Sequence, residues 1–272
     1  MPRLARIRRP PHRPAPIAIV STLQTALRKR TARWLRAALA IADAWRPEIR
    51  ADASKRWLDD KLRSLAAEIE ASLAGVGSDF ELVANRIAKR TAAEQKELFA
   101  SIRSVDPDKV KKLERLSLRA APGVGKKIDG FRLQNVAKIK SIGGETVKRV
   151  SHALAEAESK GWHRDQLRNR IQEVADVSRS KADLLARDQV LKLNGQITET
   201  RQTQAGVTEY TWSSSQDERV REWHDELDGS IQSWDDPPVT NDAGDRNHPG
   251  TDYQCRCVAI PILPDLSAYA DD

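Results

Sequence analysis

Apolar side chains recur every three or four positions through the first 120 residues, which is the pattern of amphipathic helices. Four such stripes lie in residues 21–46, in residues 57–73, in residues 80–102 and from Asp106-Pro107 onward. The pattern predicts a helical N-terminal region over residues 17–120. A turn is expected at the glycine pair of the GVG segment 75–77, because glycine accepts the left-handed conformation that ends many helices. The apolar positions of the first stripe are Leu23, Leu27, Trp34, Leu35, Ala38, Leu39 and Ala42.

The pattern changes twice after residue 120. Residues 121–130, APGVGKKIDG, hold three glycines and one proline, a composition typical of a linker. Helical spacing resumes in residues 131–204, with an expected break at Gly143-Gly144 and a new long helix after Ser178, a residue type that favours helix N-caps. Residues 207–212 then show the alternation of a strand. We therefore expect a small α+β module over residues 205–263, followed by a short tail. The predicted fold class is mainly α, a helical N-terminal region followed by a small α+β C-terminal module.

Composition narrows the class of protein further. Aromatic residues make up 5% of the 272 residues, so Leu, Ile, Val and Ala must supply most of the core, which favours helices. The chain contains no run of about 18 apolar residues, so we expect no membrane-spanning segment and no membrane partner. The two cysteines, Cys255 and Cys257, are two positions apart, a spacing that disfavours a mutual disulfide and fits a reducing cytoplasm.

Charge is distributed unevenly along the chain. Residues 1–50 contain 12 Lys and Arg residues and 2 acidic residues, whereas residues 201–272 contain 5 and 15. The opposite electric fields at the two ends favour two different partners. The alternative is that the two ends attract each other or a neighbouring copy.

Residues 1–16 are predicted to form an extended basic arm, because five arginines and five prolines can neither bury apolar surface nor continue a helix. The arm and the polar face of the first helix offer contacts to DNA phosphates or to an acidic partner, and the alternative is that both are solvated surface. The candidate contact residues are Arg3, Arg6, Arg8, Arg9, Arg13, Arg28, Lys29, Arg30, Arg33 and Arg36.

Five segments of the second half carry a family resemblance. They are ARDQVLKLNGQITETRQTQAGV (186–207), EYTW (209–212), DERVREWHDELDG (217–229), WDDPP (234–238) and HPGTDYQCRC (248–257). With these segments in this order, the chain from about residue 131 onward resembles the head-morphogenesis family of tailed bacteriophages, the Mu F-like minor head proteins. The resemblance assigns residues 131–272 to such a domain and does not extend to residues 1–130.

The resemblance implies a structural minor head (capsid) protein of the virion, located in the head interior or at the portal vertex and made in the host cytoplasm. It implies a role in head assembly, DNA packaging or DNA ejection, in several copies per virion. The expected partners are the portal protein, the major capsid protein and packaged DNA. The alternatives are a DNA-binding packaging or ejection protein and a hydrolase or nuclease. Since the chain shows no serine elbow, metalloprotease helix or nucleotide-binding loop, we expect a protein that is not an enzyme.

The resemblance also points to a metal site. In many similar proteins the segment matching residues 221–224 carries two cysteines separated by two residues, and a His-Pro precedes the Cys-Arg-Cys. Here one of those two positions is an arginine, which cannot bind a cation. The remaining imidazoles and thiols form a set of four ligands that suits Zn²⁺, and the Cys-x-Cys spacing allows both sulfurs to share one face. The candidate ligands are His224, His248, Cys255 and Cys257.

The alternative is a metal-free module. In that case the cysteines are small, partly buried residues, and charge-assisted hydrogen bonds hold the chain together. The candidate ionic residues are Asp217, Arg219, Arg221, Asp228 and Arg256.

Overall fold

The computed structural model describes residues 16–46, 51–100, 107–118 and 121–263 of the chain. The five arginines of the predicted basic arm and the predicted tail after residue 263 lie outside the described residues. The fold class is confirmed as mainly α with a small α+β C-terminal module. In chain order the elements are α1 (Ile17–Asp43), α2 (Ala51–Ser72), α3 (Val76–Ala100), α4 (Pro107–Leu118), α5 (Ala121–Lys160), α6 (Arg164–Gln204), β1 (Glu209–Ser213), α7 (Glu222–Glu226), β2 (Ile231–Ser233) and β3 (Val258–Ile262).

Helix α1 follows the predicted apolar stripe. Its buried positions include Leu23, Leu27, Trp34 and Ala38, which lie on one face of a helix with 3.6 residues per turn. The indole N–H of Trp34 donates a hydrogen bond to Ser72 Oγ at 2.5 Å inside the core. The stripe therefore packs α1 against the C-terminal end of α2.

The turn between α2 and α3 uses one glycine of the predicted pair. Gly75 has a φ of 74°, the left-handed conformation that glycine adopts without strain. Gly77 instead lies in the first turn of α3. Arg30 of α1 donates a hydrogen bond to Ser72 O at 2.5 Å, so it binds a carbonyl group at the end of α2.

The predicted linker at residues 121–130 is wrong, because these residues form the first turns of the 40-residue helix α5. A Cβ atom on Gly123 would lie 3.0 Å from Thr200 Cγ2 and 3.1 Å from Gln204 Nε2 of α6. The glycine therefore lets α5 pack closely against α6 instead of opening a loop.

The predicted breaks at Gly143-Gly144 and before residue 179 are also wrong. A Cβ atom on Gly143 would lie 2.7 Å from Ile69 Cγ2, so this glycine makes room for α2 while α5 continues. Ser178 lies inside the 41-residue helix α6, where its hydroxyl donates to Val174 O at 2.9 Å and lies 2.7 Å from Thr146 Oγ1. In both cases contacts with another helix outweigh the local preference of the residue.

The described residues form two compact units. One contains the described residues within 20–80 and 132–187, and the other contains those within 16–19, 81–131 and 188–263. Each unit thus combines segments from both sides of residue 131. No helix among the described residues is long and apolar enough to cross a membrane.

The second unit contains the C-terminal module (residues 205–263). Its antiparallel sheet has the strand order β2-β1-β3, and Tyr210 of the central strand lies opposite Gln232 and Pro261. Alternation along β1 buries Tyr210 and Trp212 on one face of the sheet. There they join a hydrophobic core that also holds Trp234 and both cysteines of the chain.

Candidate metal centre

Three of the four predicted ligands meet in the core of the C-terminal module. His224 lies on α7, Cys255 in the loop that precedes β3, and Cys257 directly before that strand. Nδ1 of His224 is 3.5 Å from Cys255 Sγ and 3.6 Å from Cys257 Sγ. The three residues are 3%, 4% and 5% exposed. Within the described part of the chain, this is the one group of at least three His, Cys, Asp or Glu side chains close enough to share an ion.

A carboxylate sets the orientation of the His224 ring. Asp252 Oδ2 lies 3.1 Å from His224 Nε2 and accepts a hydrogen bond from Arg221 Nη1 at 2.6 Å. Arg221 also donates to the backbone oxygen of Tyr253. The ring of Trp212 lies edge-on to the imidazole, with 5.4 Å between the centroids. Because Nε2 faces the carboxylate, Nδ1 faces the two sulfur atoms.

Helix α6 holds the loop that carries Cys255. The backbone N–H of Gln254 donates to Asp188 Oδ1 at 2.9 Å. A Cβ atom on Gly195 of α6 would lie 2.8 Å from a backbone oxygen of this loop, so glycine permits the close approach. Within the loop, the N–H of Gly250 donates to Cys255 Sγ at 3.3 Å. The position of the sulfur is thus fixed by backbone contacts as well as by the core.

Protonation of the three groups is linked. The hydrogen bond with Cys257, followed by the hydrogen bond and charge of His224, holds the pKa of Cys255 well below its ordinary value. The hydrogen bond with Cys255, together with burial, raises the pKa of Cys257. Burial lowers the pKa of His224, but Cys255 and Asp252 outweigh burial, so the net shift of this pKa is upward. The positions of the three side chains bring one nitrogen and two sulfur atoms close together. This set of donor atoms suits zinc rather than magnesium or calcium.

His248, the fourth predicted ligand, is not part of this group. Its Nδ1 lies 3.0 Å from the hydroxyl oxygen of Tyr210, and its ring packs against Trp234 with 4.8 Å between the centroids. Burial lowers the pKa of His248 and raises the pKa of Tyr210. The structure therefore corrects the predicted set of four ligands to three, because His248 belongs to the aromatic core of the sheet.

The predicted ionic residues make separate contacts. Arg256 forms a two-pronged ion pair with Asp217, with 2.6 Å between Nη2 and Oδ1, and these hydrogen bonds lower the pKa of Asp217. Asp217 also accepts the backbone N–H of Arg219 at 3.0 Å. Asp228 accepts the backbone N–H of Ser214 at 2.8 Å and so holds the chain that follows β1.

Arg221, the remaining predicted ionic residue, pairs with Asp252, which sequence analysis did not single out. Sequence analysis did not single out Gly195 either. Asp252 and Gly195 both lie inside segments that carry the family resemblance. The sequence does show an acidic residue, Asp252, three positions before Cys255. Its contact with His224, 28 positions away, depends on how the loop folds.

Three of the five candidate cations on α1 form ion pairs within the chain. The other two, Lys29 and Arg36, are exposed. The ion pairs reduce the positive charge that α1 presents to a DNA molecule. They are Arg28 with Asp183 at 2.8 Å, Arg30 with Asp79, and Arg33 with Glu68 at 2.7 Å.

Residues 148–260 match the family model described as Phage Mu protein F like protein. An uncharacterized protein of Haemophilus influenzae is 38% identical over 146 residues, which are 54% of this chain and 32% of that protein. The chain thus spans about a third of the length of this curated relative. No solved structure matches the chain. The matched residues include the three-ligand cluster, and the match confirms the resemblance that the five sequence segments indicate.

Proposed function

Since residues 148–260 carry a Phage Mu protein F like domain, we propose that this chain is a structural minor head protein of a tailed bacteriophage. The domain match is the observation that carries the proposal. The protein acts in the head interior or at the portal vertex, in several copies, during head assembly, DNA packaging or DNA ejection. Its partners are the portal protein or the major capsid protein, and packaged DNA.

An exposed face around α7 supports docking to a protein. Trp223 is 38% exposed and donates its indole N–H to Asp242 at 2.9 Å. The other exposed residues of this helix are acidic: Glu222, Asp225 and Glu226. We call this set of five residues the α7 face. A tryptophan surrounded by carboxylates fits a basic protein surface, because tryptophan is a frequent interface anchor and the charges oppose DNA phosphates.

A groove along α1 supports contact with DNA. It has a volume of about 630 Å³, and its lining includes Ser21, Thr25 and the exposed cation Lys29. Hydroxyl and cationic side chains are common partners of backbone phosphates. The same observation favours the second candidate function, a DNA-binding protein of packaging or ejection.

We propose a structural role rather than a catalytic one. The groups with the strongest pKa shifts, Cys255 and Cys257, are 4% and 5% exposed in the core of the C-terminal module. A substrate would have to displace that core to reach them. Burial of this kind supports a role in holding the module together.

Incorporation into virus particles tests the proposal. In the phage or prophage that encodes the chain, a nonsense mutation should block formation of DNA-filled heads, and the wild-type gene supplied in trans should restore them. Trp223→Ala should lower the amount of protein in gradient-purified heads, because loss of an aromatic anchor typically costs about 2 kcal/mol, or roughly 30-fold in affinity. Quantitative mass spectrometry of the particles measures this amount.

Leu133→Ala is the matched control, since Leu133 is 63% exposed on α5 and lies outside the α7 face. It should be incorporated like the wild type. Normal phage yield from the nonsense mutant, with no copy of the protein in wild-type heads, would overturn the head function. Normal incorporation of Trp223→Ala would overturn the α7 face alone.

A further inference from the structure

The two nitrogen-to-sulfur separations in the three-ligand cluster match those of a tetrahedral zinc site. Zinc lies about 2.3 Å from thiolate sulfur and about 2.0 to 2.1 Å from imidazole nitrogen, so two such ligands at the tetrahedral angle are about 3.6 Å apart. Nδ1 of His224 is 3.5 Å from one sulfur and 3.6 Å from the other. All three ligand atoms lie within 4.8 Å of one another. One ion placed among the three atoms would be close to all of them.

The surrounding groups are those that support a metal ligand. Histidines that bind zinc usually donate their second ring N–H to a carboxylate, which fixes the ring and increases its basicity. Asp252 occupies that position, 3.1 Å from His224 Nε2, and Arg221 in turn holds Asp252. The N–H of Gly250 points at Cys255 Sγ, as expected for a sulfur atom that carries negative charge.

Helix α7 is short, so a bound ion would help to stabilise it. Helix α7 has only five residues, and its N-cap, Arg221, makes no side-chain capping hydrogen bond. A helix of this length is unstable by itself, because few hydrogen bonds repay the loss of backbone entropy. An ion held by His224 and both cysteines would tie α7 to the chain that enters β3, and metal affinity would become folding free energy.

We propose that His224 Nδ1, Cys255 Sγ and Cys257 Sγ bind one structural Zn²⁺ ion. Asp252 and Arg221 position His224 and do not touch the ion. The fourth coordination position is taken by water or another small ligand, and His248 is not a ligand. The proposal does not depend on the head function, since it concerns the fold of the C-terminal module.

The competing explanation is a metal-free network in which the three side chains share hydrogen bonds. Metal content distinguishes the two. The full chain, with any affinity tag removed, is purified under reducing conditions without chelators. Elemental analysis should find about one zinc per chain, as a three-ligand site on one chain requires. After exchange with Co²⁺, a thiolate-to-cobalt charge-transfer band should appear.

Variants identify the ligands. Cys257→Ser and His224→Gln should each lower zinc affinity by about tenfold or more, measured by competition with a chelator, since even loss of a supporting residue weakens zinc sites 10- to 100-fold. His248→Gln is the matched control, a half-buried histidine of the same module, and it should keep the metal. Equal loss in His248→Gln and Cys257→Ser in folded protein would overturn the three-ligand site.

The wild-type protein decides the question if the ligand variants do not fold. Titration with a mercurial should modify both thiols and release the zinc in the same step. Wild-type protein that contains no zinc and gives no cobalt band would overturn the proposal. Thiols that react fully while zinc stays bound would overturn it as well.

Discussion

His224 and His248 show how one residue type takes two roles within one module. His224 faces the carboxylate of Asp252 and the sulfur of Cys255, and these partners outweigh the effect of burial on its pKa. At His248 burial dominates, because the ring packs against both Tyr210 and Trp234. The pKa values of the two imidazoles therefore shift in opposite directions, and the lowered pKa of His248 favours its neutral form.

The half-buried His248 should make the fold less stable in acid. Its pKa in the folded protein lies below the ordinary value of 6.5, so the unfolded chain takes up the proton first. The stability that His248 contributes is thus complete well above pH 6.5 and decreases as the pH falls from that value towards the lower folded-state pKa. His248→Gln should flatten this decrease, measured as the free energy of urea unfolding at a series of pH values.

The slope of that profile is the relevant quantity, because His248→Gln also loses the contact with Trp234 and should lower stability at every pH. His152→Gln, an exposed substitution on α5, is the control and should leave the profile of the wild type unchanged. Parallel profiles for the wild type and His248→Gln would show that His248 does not cause the loss of stability in acid.

The same two residues mark the limit of sequence analysis at this scale. Cys255, Cys257 and His224 could be selected because their side chains bind metals and lie in the segments that carry the resemblance. His248 satisfied the same criteria. What separates the two histidines is an aromatic core formed by β1, and the partner of His248 in that core is 38 positions away. Residue type and spacing do not contain that information.

At the scale of elements, apolar periodicity predicted the helices well and glycine predicted their ends poorly. The stripe of α1 and the alternation of β1 are direct consequences of burial on one face. Helix α5, by contrast, continues through five glycines, each of which costs up to about 1 kcal/mol relative to alanine. Contacts with neighbouring helices offset that cost, and Gly143 and Gly123 are the positions where such contacts are closest.

Adjacent glycines of α5 allow a test of this explanation. A Cβ atom on Gly143 would lie 2.7 Å from Ile69 Cγ2, whereas a Cβ atom on Gly144 would have no neighbour within 4 Å. Gly143→Ala should therefore destabilise the protein by about 1 to 3 kcal/mol, the usual cost of overpacking. Gly144→Ala should stabilise it by about 0.5 to 1 kcal/mol through the unfolded state and helix propensity.

Chemical denaturation of the two variants measures both effects on the same helix. Equal stabilisation by both substitutions would show that α2 does not approach Gly143 closely. In that case the helix would continue through the glycine pair for a reason other than packing.

At the scale of the whole molecule, the net charge of +7 conceals a strong asymmetry. The acidic character of residues 201–272 is visible on the α7 face, which supports docking to a basic protein. The basic character of residues 1–50 is less visible in α1, because Asp183, Asp79 and Glu68 neutralise three of its arginines. Sequence analysis could count these charges but could not pair them, since each partner lies 35 or more positions away.

This pairing predicts how DNA binding should depend on salt. Each phosphate that a cation neutralises contributes about 0.9 to the slope of log affinity against log salt for duplex DNA. Replacing the five arginines of residues 1–16 by glutamine should therefore reduce the slope by several units, if all of them contact phosphate. Arg28→Gln combined with Arg33→Gln should reduce it by less than about 1, because both arginines already bind carboxylates.

Fluorescence anisotropy with a short duplex, measured over a range of salt concentrations, provides both slopes. In the α1 variant the replaced arginines bind carboxylates of the same chain, and this distinguishes it from the arm variant. The two sets of variants therefore serve as controls for each other. A large loss of slope in the α1 variant would mean that DNA displaces the ion pairs of that helix. An unchanged slope in the arm variant would remove DNA from the partners of residues 1–16 and leave an acidic protein surface as the ligand that fits their charge.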